Sequence, residues 1–456
     1  MSHVFHRQCR SSLPVAVAGQ GPYIVDSAGK RYLDGCGGAA VSSLGHNHPR
    51  VIAAIRQQIE SIPYAHTGFF TTRVAEELAT LLAEGAPGDL NHVYFTSGGS
   101  ESMEAALKLA RQYYLEKGQI NKRLFIARRQ SYHGNTLGAL GVGGNQWRKT
   151  PYEPLMAPAN LIAPCYAYRD QKVDETEWEY GQRVANELAQ VIETTGSENI
   201  LAFVAEPVVG ATAGAVPAVP GYFRRVSEIC REHDILLILD EVMCGMGRTG
   251  TLFACEQDDV VPDMITIAKG LGAGYQPIGA LMVNDKIFDV ISEGSGYFQH
   301  GHTYMGHPTA CAAALEVQKV IREEALLDQV KQTGQYLFSM LQERFAAHPN
   351  IGDIRGRGLF VGLELVADKL SKAPLAEETF IHKKIKERAL EGGLMCYPMS
   401  GTIDGRRGHH ILLAPPFILE HSQVEEMVDK LVIALNSACG LSQSTRPLSV
   451  TLKEAV

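Results

Sequence analysis

An α/β fold in two parts is what this sequence predicts: a large unit on a mainly parallel sheet covered by helices, then a smaller α+β unit. Three observations carry that expectation. The chain has 456 residues, enough for two or three packed units with a substantial core. Between about residues 93 and 268, short apolar or β-branched runs alternate with helical stretches, the pattern of parallel strands joined by covering helices. Past Gly306 that alternation stops, and a long helical stretch, a strand-like run IRGRGLFVGLELV, a helix, two short strands and a final helix follow.

In chain order, residues 22–33 (PYIVDSAGKRYL) read as two short strands joined by a turn at Ser27, Ala28 and Gly29. Apolar residues at three- and four-residue spacing predict helices over 51–62 and 73–82, and 93–96 is a brief strand ending at glycines. Met103, Ala106, Leu107, Ala110 and Tyr114 then line one face of a helix that starts near Ser100. The strand runs are LFIA from Leu124, ILAFVAEP from Ile200, ILLILDE from Ile235 and MITIA from Met264, with a helix at Tyr222–Glu232 between two of them. One long helix is expected over 308–345 and the last near 424–435.

Composition narrows the function classes. Hydrophobic residues at 45% and charged ones at 20% are those of a globular protein, so a disordered chain and a coiled-coil rod are excluded. Lys and Arg total 42 against 50 Asp and Glu, a net charge of −8 that gives nucleic acid no electrostatic hold. Apolar runs such as DILLIL are far shorter than the roughly 18 residues of a membrane span, and MSHVFHRQCR lacks the apolar centre of a signal peptide. A cytoplasmic protein is expected, its nine cysteines reduced and mostly structural, because none stands at C-x-x-C spacing.

Four segments carry chemistry. FTSGGSESMEAALKLAR, residues 95–111, sets a strand, two glycines, a serine and a helix in the order that presents free N–H groups to a phosphate. Its structural alternative is a serine N-cap with Glu104 in the first turn. DILLILDEVMCGMGRTG, 234–250, ends an apolar strand at Asp240 and Glu241. Neighbours on a strand face opposite ways, so one carboxylate is expected in a crevice at the carboxyl end of the sheet. GMGRTG within it matches the dinucleotide fingerprint formally, but no helix opens there, so a nicotinamide-dependent dehydrogenase is only a remote alternative. DMITIAKGLGAGYQPIGALMV, 263–283, ends a strand at Lys269. Burial there depresses the amine's pKa toward the nucleophilic form, whereas a surface lysine would snorkel to solvent. YFQHGHTYMGHPTACAAALE, 297–316, carries His300, His302 and His307 without the spacing of metal ligands, so no metal is expected.

In this order, and with AEPVVG at 205–210, LILDEVMCGMGRTG at 237–250 and ITIAKGLGAGYQPIGA at 265–280, the segments resemble the class III aminotransferases over about residues 20–435. These are the ω-transaminase branch of the pyridoxal-phosphate transferases of fold type I. The resemblance implies pyridoxal 5′-phosphate as cofactor, carried as a Schiff base on Lys269 with its ring nitrogen paired to Asp240. It implies Val242 against one ring face, Tyr132 on the other, Glu206 near cofactor and substrate, and Gly99 and Ser100 at the phosphate. Thr303 would reach the phosphate of a neighbouring subunit, implying a homodimer with shared sites, or a tetramer of two such dimers.

The implied organisation is an N-terminal segment over 1–60 packing with the small domain, a large cofactor-binding domain over 61–307 and a small C-terminal domain over 308–456. The implied reaction is ping-pong transfer of an amino group from an amine or ω-amino acid donor to pyruvate or 2-oxoglutarate, Lys269 moving the proton. An aminomutase, racemase or decarboxylase on the same fold would use the same Lys269 and Asp240. Leu412 stands where relatives carry an arginine for the acceptor's carboxylate, which leaves Arg406 and Arg407 as the expected substitutes. Several amine-using relatives carry an aromatic residue in the stretch corresponding to DGCGGAAVSSLGH, where this chain has only Ala39, Ala40 and Val41, which implies a wider pocket there.

Overall fold

The apolar runs become five parallel strands of a seven-stranded sheet in the computed structural model, which describes residues 3–441 apart from 11 and 158. The spatial order is His92–Thr96, Gly279–Val283, Met264–Ile267, Leu236–Asp240, Ile200–Ala205, Leu124–Arg128, Asn160–Ile162. Neighbours from Met264–Ile267 to Asn160–Ile162 pair in parallel, and Gly279–Val283 runs antiparallel to both strands beside it. The expected mainly parallel architecture is therefore observed. The sequence reading missed Gly279–Val283, because an antiparallel return needs only a loop and no crossover helix announces it.

Both faces of this sheet are covered. Ile126, Phe203, Leu237 and Ile265 pack on one side against the helices Glu177–Thr195 and Tyr222–Glu232. Ala202, Leu236, Ile238 and Leu281 pack on the other against Gly99–Glu116. Strands buried on both faces explain why the runs are continuously apolar instead of alternating.

A second core lies around the antiparallel strands Ile351–Arg357, Phe360–Asp368, His409–Leu413 and Tyr397–Ser400 with the helices Leu326–Phe345, Ile381–Glu391 and His421–Cys439. The N-terminal strands Ala16–Gln20, Tyr23–Asp26 and Arg31–Asp34 join it, Leu33 pairing with Leu394. The turn expected at 27–29 is present, with Gly29 at φ 80° and the Asp26 carboxylate accepting the N–H groups of Ala28 and Lys30. Helix Pro308–Glu323 bridges the two cores: Cys311 and Leu315 face the first, Val317 and Ile321 the second. Residues 442–456 of the expected C-terminal domain, and 1, 2 and 11 of the N-terminal segment, lie outside the described residues.

One expectation is corrected. The helix expected over 308–345 is two helices, Pro308–Glu323 and Leu326–Phe345, broken where Ala325 takes φ 51°. Val320, Ile321, Leu326 and Val330 all enter the same core, so the apolar rhythm runs on across a break that no glycine or proline marks. All nine cysteines are unpaired and seven are buried, and no helix among the described residues is long and apolar enough to cross a membrane.

Candidate active site

Five segments that leave the carboxyl ends of parallel strands converge on one cavity of about 490 Å³, within the roughly 300–1,000 Å³ typical of small-molecule sites. Strand Met264–Ile267 delivers Lys269. The residue sits at φ 47°, a left-handed conformation costly for a side chain other than glycine, and the turn it opens is held because Gln318 donates to the carbonyls of Gly270 and Leu271. Burial among protein atoms lowers its amine to about 8, against the pull of Asp240 and Glu206 toward the charged form.

Strand Leu236–Asp240 delivers Asp240. One carboxylate oxygen lies 2.8 Å from Nδ1 of His133 and the other accepts the N–H of Val242 at 3.0 Å. Glu241 points the opposite way, as strand geometry requires. It accepts the N–H groups of Ala254 and Cys255 at 2.6 and 2.8 Å, and burial raises it to about 7. The two adjacent acids therefore do different work, one facing the cavity and one pinning a turn.

Glu206, just past Ile200–Ala205, lines the cavity and accepts the N–H groups of Tyr132 and Gly210 at 2.9 and 2.8 Å. Burial raises its pKa, with His133 opposing. Tyr132 and Val242 both line the cavity. A side chain on Gly99 would lie 2.7 Å from Val242 Cγ1, so that glycine is required by the close approach of helix start and valine.

Helix Gly99–Glu116 begins at the cavity with no side-chain cap, and the expected alternative at this point fails. Ser100 Oγ turns instead to Asn135, donating to its side chain and accepting its N–H, both at 3.1 Å. Glu104 accepts the N–H groups of Gly138 and Ala139 at the start of another helix, Leu137–Val142. The first N–H groups of Gly99–Glu116 are thus left for an anion.

Three expected residues are not brought into the cavity. Thr303 is exposed, its carbonyl accepting the Tyr64 hydroxyl. Arg406 and Arg407 are exposed on the loop 401–408, where both N–H groups and the Arg407 guanidinium are spent on Asp404. Leu412 is buried in its strand. Ala39 and Val41 do line the cavity, and Ala40 is buried behind them. The sequence reading missed His133, Arg148, Arg7 and Tyr397, all near or on the cavity wall. His133 stands inside the quoted SYHGNT, but no spacing singles it out, and Arg148 is a lone arginine on a four-residue helix.

Two weaker motifs resolve as structure. GMGRTG forms turns followed only by the short 3-10 helix Ala254–Asp258, not by an α-helix, and its Arg248 is buried, donating to the carbonyls of Leu359 and Pro415. No cluster of metal-ligating side chains occurs among the described residues.

The arrangement is an amine poised near neutrality, a buried carboxylate braced by an imidazole, and an uncapped helix start, all around one cavity. That donor set fits a compound with an electrophilic carbon, a basic ring nitrogen and a phosphate. Comparison with known proteins points the same way. The family model "Aminotransferase class-III" matches residues 5–435. An aminotransferase of Gibberella zeae is 44% identical over 91% of this chain and 83% of its own length. The putrescine–pyruvate aminotransferase of Pseudomonas aeruginosa is 36% identical over 90% of this chain and 87% of its own. The crystal structure of an (S)-enantioselective omega-transaminase from Thermomicrobium roseum superposes with a TM-score of 0.90 at 35% identity, covering 96% of each chain.

Proposed function

This chain belongs to the class III aminotransferases, and from that premise we propose that it moves an amino group from an amine or ω-amino acid to a 2-oxo acid in a ping-pong reaction. It is an aminotransferase of the pyridoxal-phosphate fold type I. The observation that carries the finer reading is the poised Lys269 amine sharing one cavity with the buried Asp240 and the uncapped helix start.

Pyridoxal 5′-phosphate, when bound, supplies an aldehyde that condenses with amines and a pyridinium ring that withdraws electrons from the bond being broken. Lys269 would hold that aldehyde between turnovers and, once displaced by the donor, carry the proton from the donor's reacting carbon. Asp240 would keep the ring nitrogen protonated, its own position fixed by His133 and the Val242 N–H. Val242 and Tyr132 would clasp the ring, Gly99 and Ser100 would receive the phosphate, and Glu206 would hold the Tyr132 segment in place. The acceptor we favour is pyruvate, on the strength of the putrescine–pyruvate relative, with 2-oxoglutarate as the competitor. A reducing cytoplasmic setting fits nine unpaired cysteines.

We assign the working form as a homodimer. Thr303 is exposed next to Tyr304, itself open to solvent and in edge contact with Tyr64, and a partner chain covering this face would bring Thr303 to the partner's phosphate. A hydrogen bond to a charged group is worth about 1.5–3 kcal/mol, so Thr303→Ala should weaken cofactor binding by about 10- to 150-fold. Mixed with Lys269→Ala protein, it should recover activity, because each hybrid dimer then holds one intact site. A fully active monomer, or mixing without recovery, would contradict the shared site.

The reaction itself is tested by spectral half reactions with a panel of amines and ω-amino acids, each followed by pyruvate or 2-oxoglutarate. A ketone or aldehyde released without carbon dioxide, and return of the starting spectrum on adding oxo acid, is the expected result. Carbon dioxide release or simple isomerisation of the donor would replace it with the decarboxylase, or with the racemase or aminomutase reading.

A further inference from the structure

Arg148 lines the cavity and is half-buried, yet no carboxylate pairs with it and its guanidinium donates to no other group among the described residues. Its central carbon lies 4.5 Å from the centroid of the Tyr132 ring, within cation–π distance. Stacking uses the face of a guanidinium and leaves its N–H edge free, and that edge is the fork that grips a carboxylate through two parallel hydrogen bonds. Arg148 is a partly desolvated cation without an acid partner among the described residues, and its N–H donors are open to an anion.

The backbone around it is built to hold that pose. Arg148 belongs to the short helix Gln146–Lys149, whose N-cap Asn145 accepts the Arg148 N–H at 3.3 Å. The next residue, Lys149, is buried and donates to the carbonyls of Gly141 and Gly143, each at 2.9 Å. From behind, Gln130 donates to the carbonyls of Gly401 and Thr402, and a side chain on Gly405 would come within 3.2 Å of the Trp147 nitrogen. The loop 401–408 is therefore packed against the back of the segment that carries Arg148. This is why Arg406 and Arg407, which the sequence offers for the acceptor, face solvent. Arg7 adds a second cation to the cavity wall, and both arginines act electrostatically on Tyr132. Ala39 and Val41 line the same cavity with small side chains, which leave room for a substrate.

We propose that Arg148 binds the carboxylate of the oxo-acid acceptor, and of any carboxylate-bearing donor, with Arg7 reinforcing the positive field. The inference rests on the transamination reading and names the determinant of its acid specificity. Arg148 contacts the substrate's carboxylate and not the cofactor, and it takes no part in the proton transfer at Lys269.

The test uses the holoenzyme and the variants Arg148→Ala, Arg148→Gln and Arg148→Lys. Arg148 makes no polar contact with the described residues beyond its backbone, so its loss orphans no buried partner. Three readouts are compared: the half reaction with pyruvate, the half reaction with a carboxylate-free primary amine, and equilibrium binding of propionate, which resembles the acid but cannot react. Loss of a charge-assisted pair predicts about 10- to 100-fold lower efficiency with pyruvate and a comparable loss of propionate affinity in the Ala and Gln variants. The amine half reaction should change far less, and Arg148→Lys should recover part of the acid binding.

Equal losses with acid and amine would overturn the inference, because Arg148 would then serve only to brace Tyr132. So would unchanged pyruvate and propionate values, or losses that appear instead in Arg406→Ala or Arg407→Ala. A wild-type enzyme that reacts with no amine at all would sink the transamination reading, while the propionate titration would still decide the role of Arg148.

Discussion

Lys269→Ala should abolish turnover with every donor while leaving a folded protein. The variant removes both the group that holds the cofactor between turnovers and the base that moves the proton. General acid–base catalysis alone is worth about 10²- to 10⁴-fold, so a loss of at least about four orders of magnitude is expected once covalent anchoring is lost as well. The fold should survive, because deleting the amine relieves a desolvation cost instead of creating one, and the turn is fixed by Gln318 from the backbone side. The lowered amine adds a pH signature. Only the neutral amine attacks an aldehyde, and it becomes the major form above about 8, so the rate of loading apo-protein with cofactor should rise with pH through that value. A loading rate flat between pH 6 and 9 would contradict the poised amine, and near-normal turnover in Lys269→Ala would contradict its role.

Asp240→Asn is expected to have the next largest effect. The amide keeps the shape of the strand end and can still accept the Val242 N–H and meet His133, so fold and some cofactor should be retained. What it loses is the charge that stabilises a protonated ring nitrogen. Removing one partner of a buried ion pair costs about 3–5 kcal/mol, which is about two to four orders of magnitude in the half-reaction rate. The loss should fall on the proton-transfer step with all donors alike, because the ring serves every donor. Half-reaction rates near those of the wild type would remove Asp240 from the chemistry and leave His133 without an evident purpose.

Residues at strand ends were the legible part of the site. Asp240 and Lys269 each close an apolar run and precede a loop, so the local pattern alone puts them at one edge of a sheet. Their convergence was not legible from spacing, since it depends on parallel pairing of strands far apart in the chain. Ser100 shows a different limit. A serine before a helix reads as its cap, and only the fold reveals that Asn135 claims the hydroxyl and that Glu104 serves another helix. Arg148 and Arg406 show the third. Which arginine reaches a cavity depends on which of two packed loops lies in front, and that order is written in tertiary contacts such as Gln130 with Gly401. The break at Ala325 was hidden for a related reason: core packing on both sides preserves the apolar rhythm and outweighs the cost of a left-handed alanine.

We propose this cavity as a pyridoxal-phosphate site with Lys269 as its attachment point. Borohydride reduction of the holoenzyme, followed by protease digestion and mass mapping of the modified peptide, tests it most directly. A single phosphopyridoxyl adduct is expected on the peptide that contains Lys269 and the glycines at 270, 272 and 274, with none on it when donor amine is added first. An adduct on any other lysine, or no adduct on a protein whose spectrum shows the cofactor bound, would contradict it.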